Sequence, residues 1–447
     1  MNGLMIMALL RAIKGNEILR IFHITALPIW SMDGKGGMPS LQETLRGHKR
    51  AGHDIFIIMP RYDLFSDSLT DLSAYQQGEY DVRFARCAWF PLLAKLRALA
   101  RRVSGGETVP YPARWGLNMA MLVLLTVSFV FKALKLYKGS AKPDLVYAHN
   151  QYAALSGFLL GCLWRIPNVT RLYGTFLANL IDKPLVTLRY PTAAAGFRIP
   201  SSLLICGNDG TQGDVIAGKF GISMERFRFW QNGVEPPSQT PRVGRDEFAS
   251  RFGSGIRTTS KWVISCSRLS YWKRIDRILQ AVAVSRENGI DCQLLLAGDG
   301  PEKGRLTQLA NDLGIAKEVI WLGAVAHDDI WALMNLADVF MITNDVTNRC
   351  NPLYEAAWAG LPVVSVFDRS TSDLLHHEHN ALLAEKDDTQ TLGQHLTRIL
   401  RDETLAHDLG QAQKRLAATF WTWEERMQVE VKELEKIVFK SSDSQVR

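Results

Sequence analysis

The sequence has few cysteines, and they follow no pattern. Six cysteines are scattered over 447 residues, and none belongs to a Cys-x-x-Cys pair or to a cluster of metal ligands. Reduced cysteines in a cytoplasmic protein are therefore expected, rather than a disulfide framework or a zinc site. Acidic residues do not cluster either, so the sequence predicts no metal site.

Long hydrophobic runs are also missing. The longest apolar stretch, residues 117–131, has fifteen residues and contains Asn118, Thr126 and Ser128. A membrane-spanning helix needs about 20 apolar residues, so this stretch predicts a buried or interfacial helix. The opening MNGLMIMALLRAIKG has no positive charge before its apolar run and no small-residue cleavage site after it, so no signal peptide is expected.

Positive charge is in mild excess but is not concentrated in one dense run. The chain has 52 Lys and Arg against 45 Asp and Glu, with an isoelectric point near 9.0. Such an excess suits an anionic partner such as a nucleotide, a phospholipid or a nucleic acid. Because no dense Lys/Arg run or RNA-binding motif occurs, nucleic acid is not an expected partner.

What the sequence does contain is a regular alternation of strands and helices. Ten apolar strand-like runs, from ILRIFHITALP to LPVVSVF, alternate with helix-length segments. This pattern indicates parallel sheets covered by helices on both faces, and ten strands are too many for one compact sheet. The predicted fold class is α/β, with two Rossmann-like domains facing across a cleft that receives ligands at the carboxyl ends of the strands. The predicted domains are 1–235 and 236–425, followed by a closing helix and polar tail over 426–447.

Two glycine-rich loops follow predicted strands. SMDGKGGMPS, with Gly36 and Gly37, would let backbone approach a phosphate, although a plain turn explains it equally well. GDGPEKG, residues 298–304, could place backbone amides near an anion or form a tight strand-to-helix turn. Its third glycine is one position late for the dinucleotide fingerprint, so a dehydrogenase is disfavoured.

The loop SRLSYWKRIDR carries two cations close to a strand end. Arg268 follows the predicted strand WVISC, and Lys273 stands at the predicted start of the next helix. Two such cations before a helix N-terminus can converge on a diphosphate, although a solvated charged turn is the alternative. They supply about two positive charges and the helix roughly half a charge, which balances a leaving diphosphate without a metal.

The stretch NRCNPLYEAAWAGLPVV, residues 348–364, places one carboxylate in an otherwise apolar helix. Pro352 suits a first helical turn, Glu355 is predicted on that same turn, and Gly360 ends the helix. The carboxylate could favour the helix dipole, or it could accept the two hydroxyls of a ribose. The position alone leaves both explanations open.

Taken together and in order, these loops resemble a known family. The Gly-Gly loop, QNGVE, SRL with KR, AGDGPE, WLGAV and EAAWAGLPVV look like the retaining glycosyltransferases of family 4, which have the GT-B fold. The resemblance covers most of the chain and is strongest from residue 232 to residue 364. As a set the motifs are specific, whereas no single one is.

The resemblance implies a nucleotide-sugar donor, a UDP- or GDP-sugar, held mainly by the C-terminal domain, and a glycan or lipid-linked acceptor held by the N-terminal domain. Arg268 and Lys273 would hold the donor diphosphate, Glu355 would hold the ribose, and His149 would lie near the donor sugar and the reacting centre. No cofactor is implied. The other implied donor contacts are Gly36 and Gly37 at the phosphates, Gly300 at the sugar, Gly323 and Ala324 near the base, and Asn351, Leu353 and Tyr354 beside Glu355.

One position departs from the family pattern. The family has a first glutamate with seven residues between it and the second, and here that position is Thr347, with Asp345 the nearest carboxylate. The implied reaction is metal-independent transfer with retention, which depends on positioning and on stabilising the leaving phosphate. A nucleotide-sugar epimerase on the same fold, which needs no acceptor, is one alternative. A non-catalytic nucleotide-sugar-binding subunit is another, and Thr347 keeps it open.

Residues 83–103 mix basic with aromatic and leucine side chains. This composition suits an interfacial helix on an anionic membrane, and a core-facing amphipathic helix with a solvated basic face is the alternative. The expected localisation is cytoplasmic, with peripheral contact at the inner face of the membrane.

Overall fold

Two parallel β-sheets form the framework of the protein. The computed structural model describes residues 18–26, 39–63, 68–69, 80–86, 89, 91–93, 95–96, 99, 111–137, 142–183, 185–234, 243–253 and 255–446. The strands are β1 Arg20–Thr25, β2 Asp54–Pro60, β3 Tyr62–Asp63, β4 Ser68–Leu69, β5 Asp81–Ala85, β6 Leu145–His149, β7 Asn168–Leu172, β8 Leu203–Gly207, β9 Phe227–Trp230, β10 Lys261–Cys266, β11 Cys292–Ala297, β12 Val319–Gly323, β13 Val339–Ile342, β14 Val363–Val366 and β15 Leu382–Ala384.

The helices lie mainly between consecutive parallel strands. They are α1 Pro39–Arg50, α2 Tyr111–Tyr137, α3 Gln151–Trp164, α4 Val186–Arg189, α5 Pro191–Arg198, α6 Gly213–Lys219, α7 Arg245–Phe252, α8 Ile275–Glu287, α9 Lys303–Asp312, α10 His327–Leu336, α11 Asn351–Ala359, α12 Thr389–Arg401, α13 Glu403–Ala417 and α14 Trp423–Val446.

The first sheet has the strand order β5-β2-β1-β6-β7-β8-β9, and all its pairings are parallel. The chain moves from β1 toward β5 and then from β6 toward β9, so the order reverses between β1 and β6. Thr25 pairs with His149 at the carboxyl ends of these two strands. In open α/β sheets ligands bind at such a reversal, which makes this edge a candidate site.

Helix placement in the first sheet follows from crossover handedness. The β5-to-β6 and β6-to-β7 connections run in one direction along the sheet, while β1-to-β2 runs in the other. Because crossovers are right-handed, α2 and α3 cover one face of the sheet and α1 covers the opposite face. α2 packs against α3, and α14 packs against α1.

The second sheet repeats this design with six parallel strands in the order β12-β11-β10-β13-β14-β15. Here the order reverses between β10 and β13. The loop that carries Arg268 follows β10, and residues 343–350 follow β13, so both loops leave the sheet at its reversal point. The continuous apolar runs in the sequence are explained by burial. Both faces of strands β10, β11 and β13 are covered, so these strands have no polar face.

The strands and helices of the structure agree with most of those that the sequence predicts. All ten predicted strands are present, whereas β3, β4, β5, β9 and β15 were missed because they are short or, like β5, alternate exposed polar residues at a sheet edge. The helix expected over residues 117–131 is present as the middle of the 27-residue α2. Residues beyond 440 are not separate from the closing helix, because α14 continues to Val446.

By packing, the chain divides into two units. One comprises Met1–Asn208, Gln212–Asn232 and Trp423–Arg447, and the other comprises Asp209–Thr211 and Gly233–Thr422. The last helix, α14, therefore belongs to the N-terminal unit, because its Leu434 packs in the same core cluster as strands β1, β6, β7 and β8. The division into domains 1–235 and 236–425 stays a prediction about functional organisation.

Candidate functional site

The loop after β10 is held in place by the loop after β11. Ser267 N donates to Ala297 O at 3.0 Å, and Leu269 N donates to Asp299 O at 2.9 Å. A Cβ at Gly298 would overlap the Ser267 carbonyl, and a Cβ at Gly300 would overlap the Leu269 carbonyl. These two glycines therefore let two backbones pack side by side, and this packing fixes the turn that presents Arg268.

Two cations of this loop have no acidic partner. Arg268 is exposed, and among the described residues neither it nor Lys273 makes an ion pair with a carboxylate. Lys273 ends a short 3-10 turn, Tyr271–Lys273, and so precedes α8 rather than starting it. Its Nζ lies 4.2 Å from the centroid of the Trp272 ring, and burial lowers its pKa.

The neighbouring arginines have a different role. The guanidinium of Arg274 contacts Asp276 at 3.1 Å and Asp345 at 3.3 Å, and that of Arg277 contacts Asp345 at 2.7 Å and Asp387 at 2.8 Å. Their charges are neutralised inside the protein, so they hold the loop together. The uncompensated charge of this segment is that of Arg268 and Lys273.

Glu355 is a buried carboxylate in the second turn of α11. The helix begins at Asn351, so the expectation that Glu355 lies on the first turn was wrong by one turn. Gly360 ends the helix in the left-handed conformation, with φ 70°, as predicted. Glu355 is 7% exposed, and its Oε1 lies 3.0 Å from His327 Nε2. Within the described residues its Oε2 makes no hydrogen bond, so this oxygen is available to a ligand hydroxyl.

His327, which the sequence analysis did not select, partners this carboxylate. It begins α10, its side chain is 68% exposed, and its hydrogen bond to Glu355 raises its pKa. The only signal in the sequence was its place directly after the strand and loop WLGAVA, which by itself does not distinguish a ligand-facing histidine from a helix-start residue.

Lys273 and Glu355 both act on the partly buried thiol of Cys350. Burial raises the pKa of Cys350, the Lys273 ammonium opposes this effect, and the Glu355 carboxylate adds to it. Glu355 also raises the pKa of Cys266, the last residue of β10, although burial is the larger cause. Lys273 and Glu355, a cation and a carboxylate 82 positions apart in the sequence, thus act on the same group at the reversal point of the second sheet.

Among the other predicted donor contacts of this unit, some are exposed and others are buried in the core. Asn351 and Ala324 are exposed, and Gly323 turns the chain at φ 70°. The side chains of Leu353 and Tyr354 are buried in the core, where the Tyr354 ring stands edge-on to Phe420 at 4.8 Å. Those two residues can therefore reach a ligand only through main-chain atoms. Gly36 and Gly37 lie outside the described residues.

Thr347, at the position where the resemblance leads to a glutamate, has a structural role. Its Oγ1 donates to Asp209 O at 2.6 Å and accepts from Arg349 N at 3.1 Å. Asp345, the nearest carboxylate, is held by Arg274 and Arg277. Neither side chain offers a charged oxygen to a ligand.

In the N-terminal unit, His149 belongs to a chain of buried side chains that we call the imidazole chain: Tyr173, His149, His23, His48 and Glu430. His149 Nδ1 is 2.7 Å from Tyr173 Oη, and its Nε2 is 2.9 Å from His23 Nδ1. His23 Nε2 is 3.4 Å from His48 Nδ1, and His48 Nε2 is 3.2 Å from Glu430 Oε1. Tyr173 is the only partly exposed member of these five residues.

The charges around Glu430 give the imidazole chain a direction. Burial would raise the pKa of Glu430, but Arg171 and Arg426, each with a nitrogen 2.8 Å from Oε2, hold it well below its usual range. If His48 is a neutral ring that presents its Nε2 proton to the ionised carboxylate 3.2 Å away, its Nδ1 accepts. In that arrangement His23 donates from Nε2 to His48, His149 donates from Nε2 to His23, and the Tyr173 hydroxyl donates to His149.

Sequence reasoning selected only His149 from this chain. Its members lie at positions 23, 48, 149, 173 and 430, and no local pattern links them. The finding also limits what His149 can do. Its side chain is fully buried and both ring nitrogens are engaged, so any effect it has on a ligand must pass through the hydroxyl of Tyr173.

Acid is expected to destabilise the N-terminal unit through these histidines. Burial, followed by neighbouring positive groups, lowers the pKa of His23 and His149 well below 6.5, and burial lowers that of His53 to about 4. Below pH 6.5 the unfolded chain binds more protons than the folded chain. Stability should therefore fall as pH falls from about 6.5, by up to about 1.4 kcal/mol per pH unit for each histidine.

Denaturant midpoints measured from pH 8 to pH 5 test this expectation. His23→Gln should flatten the pH dependence, whereas His407→Gln, at an exposed position of the other unit, should leave it unchanged. A wild-type midpoint that does not change below pH 6.5 would show that these histidines are already protonated in the folded protein.

Comparison with known proteins places these observations in a family context. Residues 246–416, most of the unit that holds Arg268, Lys273 and Glu355, match the family model described as glycosyl transferases group 1. An N-acetyl-alpha-D-glucosaminyl L-malate synthase from Bacillus anthracis is 28% identical over 157 residues, 35% of this chain and 40% of that protein. A GDP-mannose-dependent alpha-(1-6)-phosphatidylinositol monomannoside mannosyltransferase from Mycobacterium tuberculosis is 27% identical over 211 residues, 46% of this chain and 51% of that protein.

Solved structures extend the similarity to the whole fold. Anabaena Alr3699/HepE in complex with UDP superposes with a TM-score of 0.66 at 18% identity, covering 94% of this chain and 100% of that chain. The lipopolysaccharide glycosyltransferase WaaG gives a TM-score of 0.63 at 15% identity, covering 92% and 98%. The fold is thus that of the GT-B glycosyltransferases, as predicted. The chain spans about half or less of the length of the curated relatives named above.

Proposed function

We propose that this protein is a retaining, metal-independent glycosyltransferase that moves a sugar from a UDP- or GDP-sugar to a glycan or lipid-linked acceptor. The observation that carries the proposal is the pairing of two uncompensated cations, Arg268 and Lys273, with the buried carboxylate of Glu355 at the reversal point of the second sheet. This unit also contains the residues that match glycosyl transferases group 1.

The chemistry of these groups suits the two ends of a nucleoside diphosphate. Arg268 and Lys273 offer donors and positive charge to the phosphates, where negative charge grows as the sugar departs. Glu355, whose Oε2 is available, accepts hydroxyl protons of the ribose. His327 fixes the other carboxylate oxygen and, when protonated, keeps the pair neutral.

Three further assignments belong to the same proposal. Gly300, Gly323, Ala324 and Asn351 line the donor with main-chain or exposed atoms, and Gly36 and Gly37 approach its phosphates. His149 acts near the sugar through Tyr173. The protein works in the cytoplasm and contacts the inner face of the membrane peripherally, with residues 83–103 contributing.

A non-catalytic nucleotide-sugar-binding subunit is the second candidate. It is favoured by one observation: the Thr347 hydroxyl is occupied by Asp209 O and Arg349 N, so no carboxylate from this position reaches the donor sugar. An epimerase would convert the donor without any acceptor. Product analysis separates the three functions, since only a transferase needs both substrates to release the free nucleotide and a glycosylated product.

Glu355→Ala is expected to remove about half or more of the stabilisation given by the donor. A ligand at a hundred times its dissociation constant stabilises the folded protein by about 2.7 kcal/mol. Hydrogen bonds to a charged group contribute about 1.5–3 kcal/mol each, so the variant should bind the donor roughly 10- to 150-fold more weakly. The measurement is thermal unfolding with UDP-, GDP-, ADP- and CMP-sugars.

The control is Glu403→Ala, which removes a 90% exposed carboxylate of the same unit and should leave the shift intact. One nucleotide class that stabilises the wild type and Glu403→Ala but not Glu355→Ala supports the proposal. Equal stabilisation of all three proteins would remove Glu355 from the donor site.

A further inference from the structure

The helical face of α2 and α3 presents large apolar side chains to the surroundings. Val123, Val127 and Phe131 follow one another at intervals of four along α2 and are 52%, 62% and 70% exposed. Leu159 and Leu163, at the same interval on α3, are 41% and 58% exposed. Because α2 and α3 pack against each other on one face of the sheet, these five residues form one surface, which we call the α2–α3 face.

The opposite side of α2 is anchored in the protein. Leu125, Phe129 and Ala133 are fully buried in one core cluster with Leu160 of α3 and Val146 of β6. By length and composition α2 could cross a membrane: the most apolar 18 residues within Pro112–Tyr137 have a mean hydropathy of 2.0, and 33% of that stretch is buried. Crossing would require α2 to leave this core, whereas lying in the membrane surface would bury only the side that is already exposed.

A third segment that packs into the same core also exposes large apolar side chains. Leu93 is buried in the same core cluster as α2, while Trp89, Leu92, Leu96 and Leu99 are 44–60% exposed. An aromatic residue with leucines is the composition of an interfacial anchor. Large exposed apolar side chains on three segments that share one core are unusual for a protein that contacts only water.

Charge identifies the partner. Residues 82–143 contain eleven Lys and Arg and one acidic residue, so this stretch carries a net +10 whereas the whole chain carries +7. Neither α2 nor α3 contains an acidic residue, and Arg114 and Lys135 on α2, Arg165 at the end of α3 and Lys95 on the third segment are exposed. Apolar side chains accompanied by cations on the same segments complement a bilayer with anionic headgroups, whereas a second copy of this chain would bring like charge to the same surface.

We propose that the α2–α3 face rests on an anionic phospholipid bilayer, with α2 lying in the plane of the membrane surface. Val127 and Phe131 enter the boundary between headgroups and acyl chains, and the surrounding cations contact lipid phosphates. The docking site therefore extends well beyond residues 83–103. Membrane docking itself does not depend on the proposed function. Its purpose does, since docking would bring the protein to a lipid-linked acceptor.

Vesicle co-sedimentation of the full chain tests the proposal. The probes are phosphatidylcholine vesicles with and without about 30% phosphatidylglycerol, at low and at high salt. Val127→Glu with Phe131→Glu should weaken binding to the anionic vesicles at least tenfold. The matched control, Val429→Glu with Phe439→Glu, changes the same residue types at exposed positions of α14, on the other face of the sheet, and should bind like the wild type.

Each result decides the matter. Salt-sensitive binding to anionic vesicles that only the α2 variant loses supports the proposal. Equal binding to neutral vesicles, equal loss in both variants, or no vesicle binding together with a dimer that the α2 variant dissociates would overturn it. Resistance of the membrane-bound protein to alkaline carbonate would show that α2 spans the bilayer, which also overturns it. Unchanged donor-induced thermal shifts in the α2 variant would separate a failure of docking from a failure of the proposed function.

Discussion

Replacing Arg268 or Lys273 with alanine is expected to lower kcat by about 10²- to 10³-fold, with a smaller change in KM. Both side chains carry positive charge without an acidic partner in the described part of the chain, so both charges can act on the donor diphosphate that we propose. Removing one donor that stabilises charge developing in a transition state has about this effect in other enzymes. Burial of Lys273 strengthens the expectation, because a partly desolvated charge acts in a lower dielectric.

The measurement is initial-rate kinetics with the nucleotide sugar identified by thermal unfolding. Arg268→Lys should retain part of the activity, since it keeps the charge but loses the fork of donors. Lys303→Ala removes an exposed cation at the start of α9 in the same unit and serves as the control. If KM rises with kcat unchanged, the two cations bind the ground state only and do not assist the departure of the diphosphate.

Replacing Glu430 with alanine is expected to destabilise the N-terminal unit by about 3–5 kcal/mol. The change leaves two guanidinium groups, those of Arg171 and Arg426, buried at 1% exposure without their shared counter-charge. It also removes the acceptor of the Tyr147 hydroxyl, which is 2.6 Å from Oε1. Removing one partner of a buried ion pair typically has an effect of this size, because the remaining charge is uncompensated.

Hydrogen exchange of amides in β6 and β7 measures this effect in the N-terminal unit alone. Glu433→Ala, one turn along α14, is the control: its carboxylate pairs with Arg228 at the surface, where side chains are 16% and 26% exposed. Its loss should lower stability by about 1 kcal/mol or less. Equal effects of the two substitutions would mean that the buried charges are hydrated or neutralised in another way.

Glu430 also controls the protonation pattern proposed for the imidazole chain. With an ionised carboxylate at one end and His48 presenting its Nε2 proton to it, His23 and His149 are protonated at Nε2. The Tyr173 hydroxyl then donates inward to His149, which leaves its oxygen lone pairs for the ligand that we propose. The low pKa of Glu430 makes it a poor final proton acceptor, so the chain orients groups rather than conducting protons.

The sequence alone determined several features of the protein. The apolar runs predicted the parallel strands, because a strand that is buried on both faces has no polar side chains on either face. The end of α11 followed from Gly360, since the left-handed conformation favours glycine. The sequence also placed Arg268 and Lys273 after β10 and Glu355 in the helix after β13, and the carboxyl ends of these neighbouring parallel strands share one edge. That these three residues bind the donor stays a prediction.

Only the tertiary structure decided the rest. Whether Leu353 and Tyr354 face a ligand or the core depends on the packing of α11, which their identity does not specify. Gly298 and Gly300 are required because the Ser267–Leu269 backbone lies against them, and no local signal reports a neighbour from another loop. The imidazole chain joins residues as far apart as His23 and Glu430, and the exposed side of α2 depends on which side the sheet covers. Local patterns fix the elements, whereas burial and charge pairing arise from contacts between segments distant in sequence.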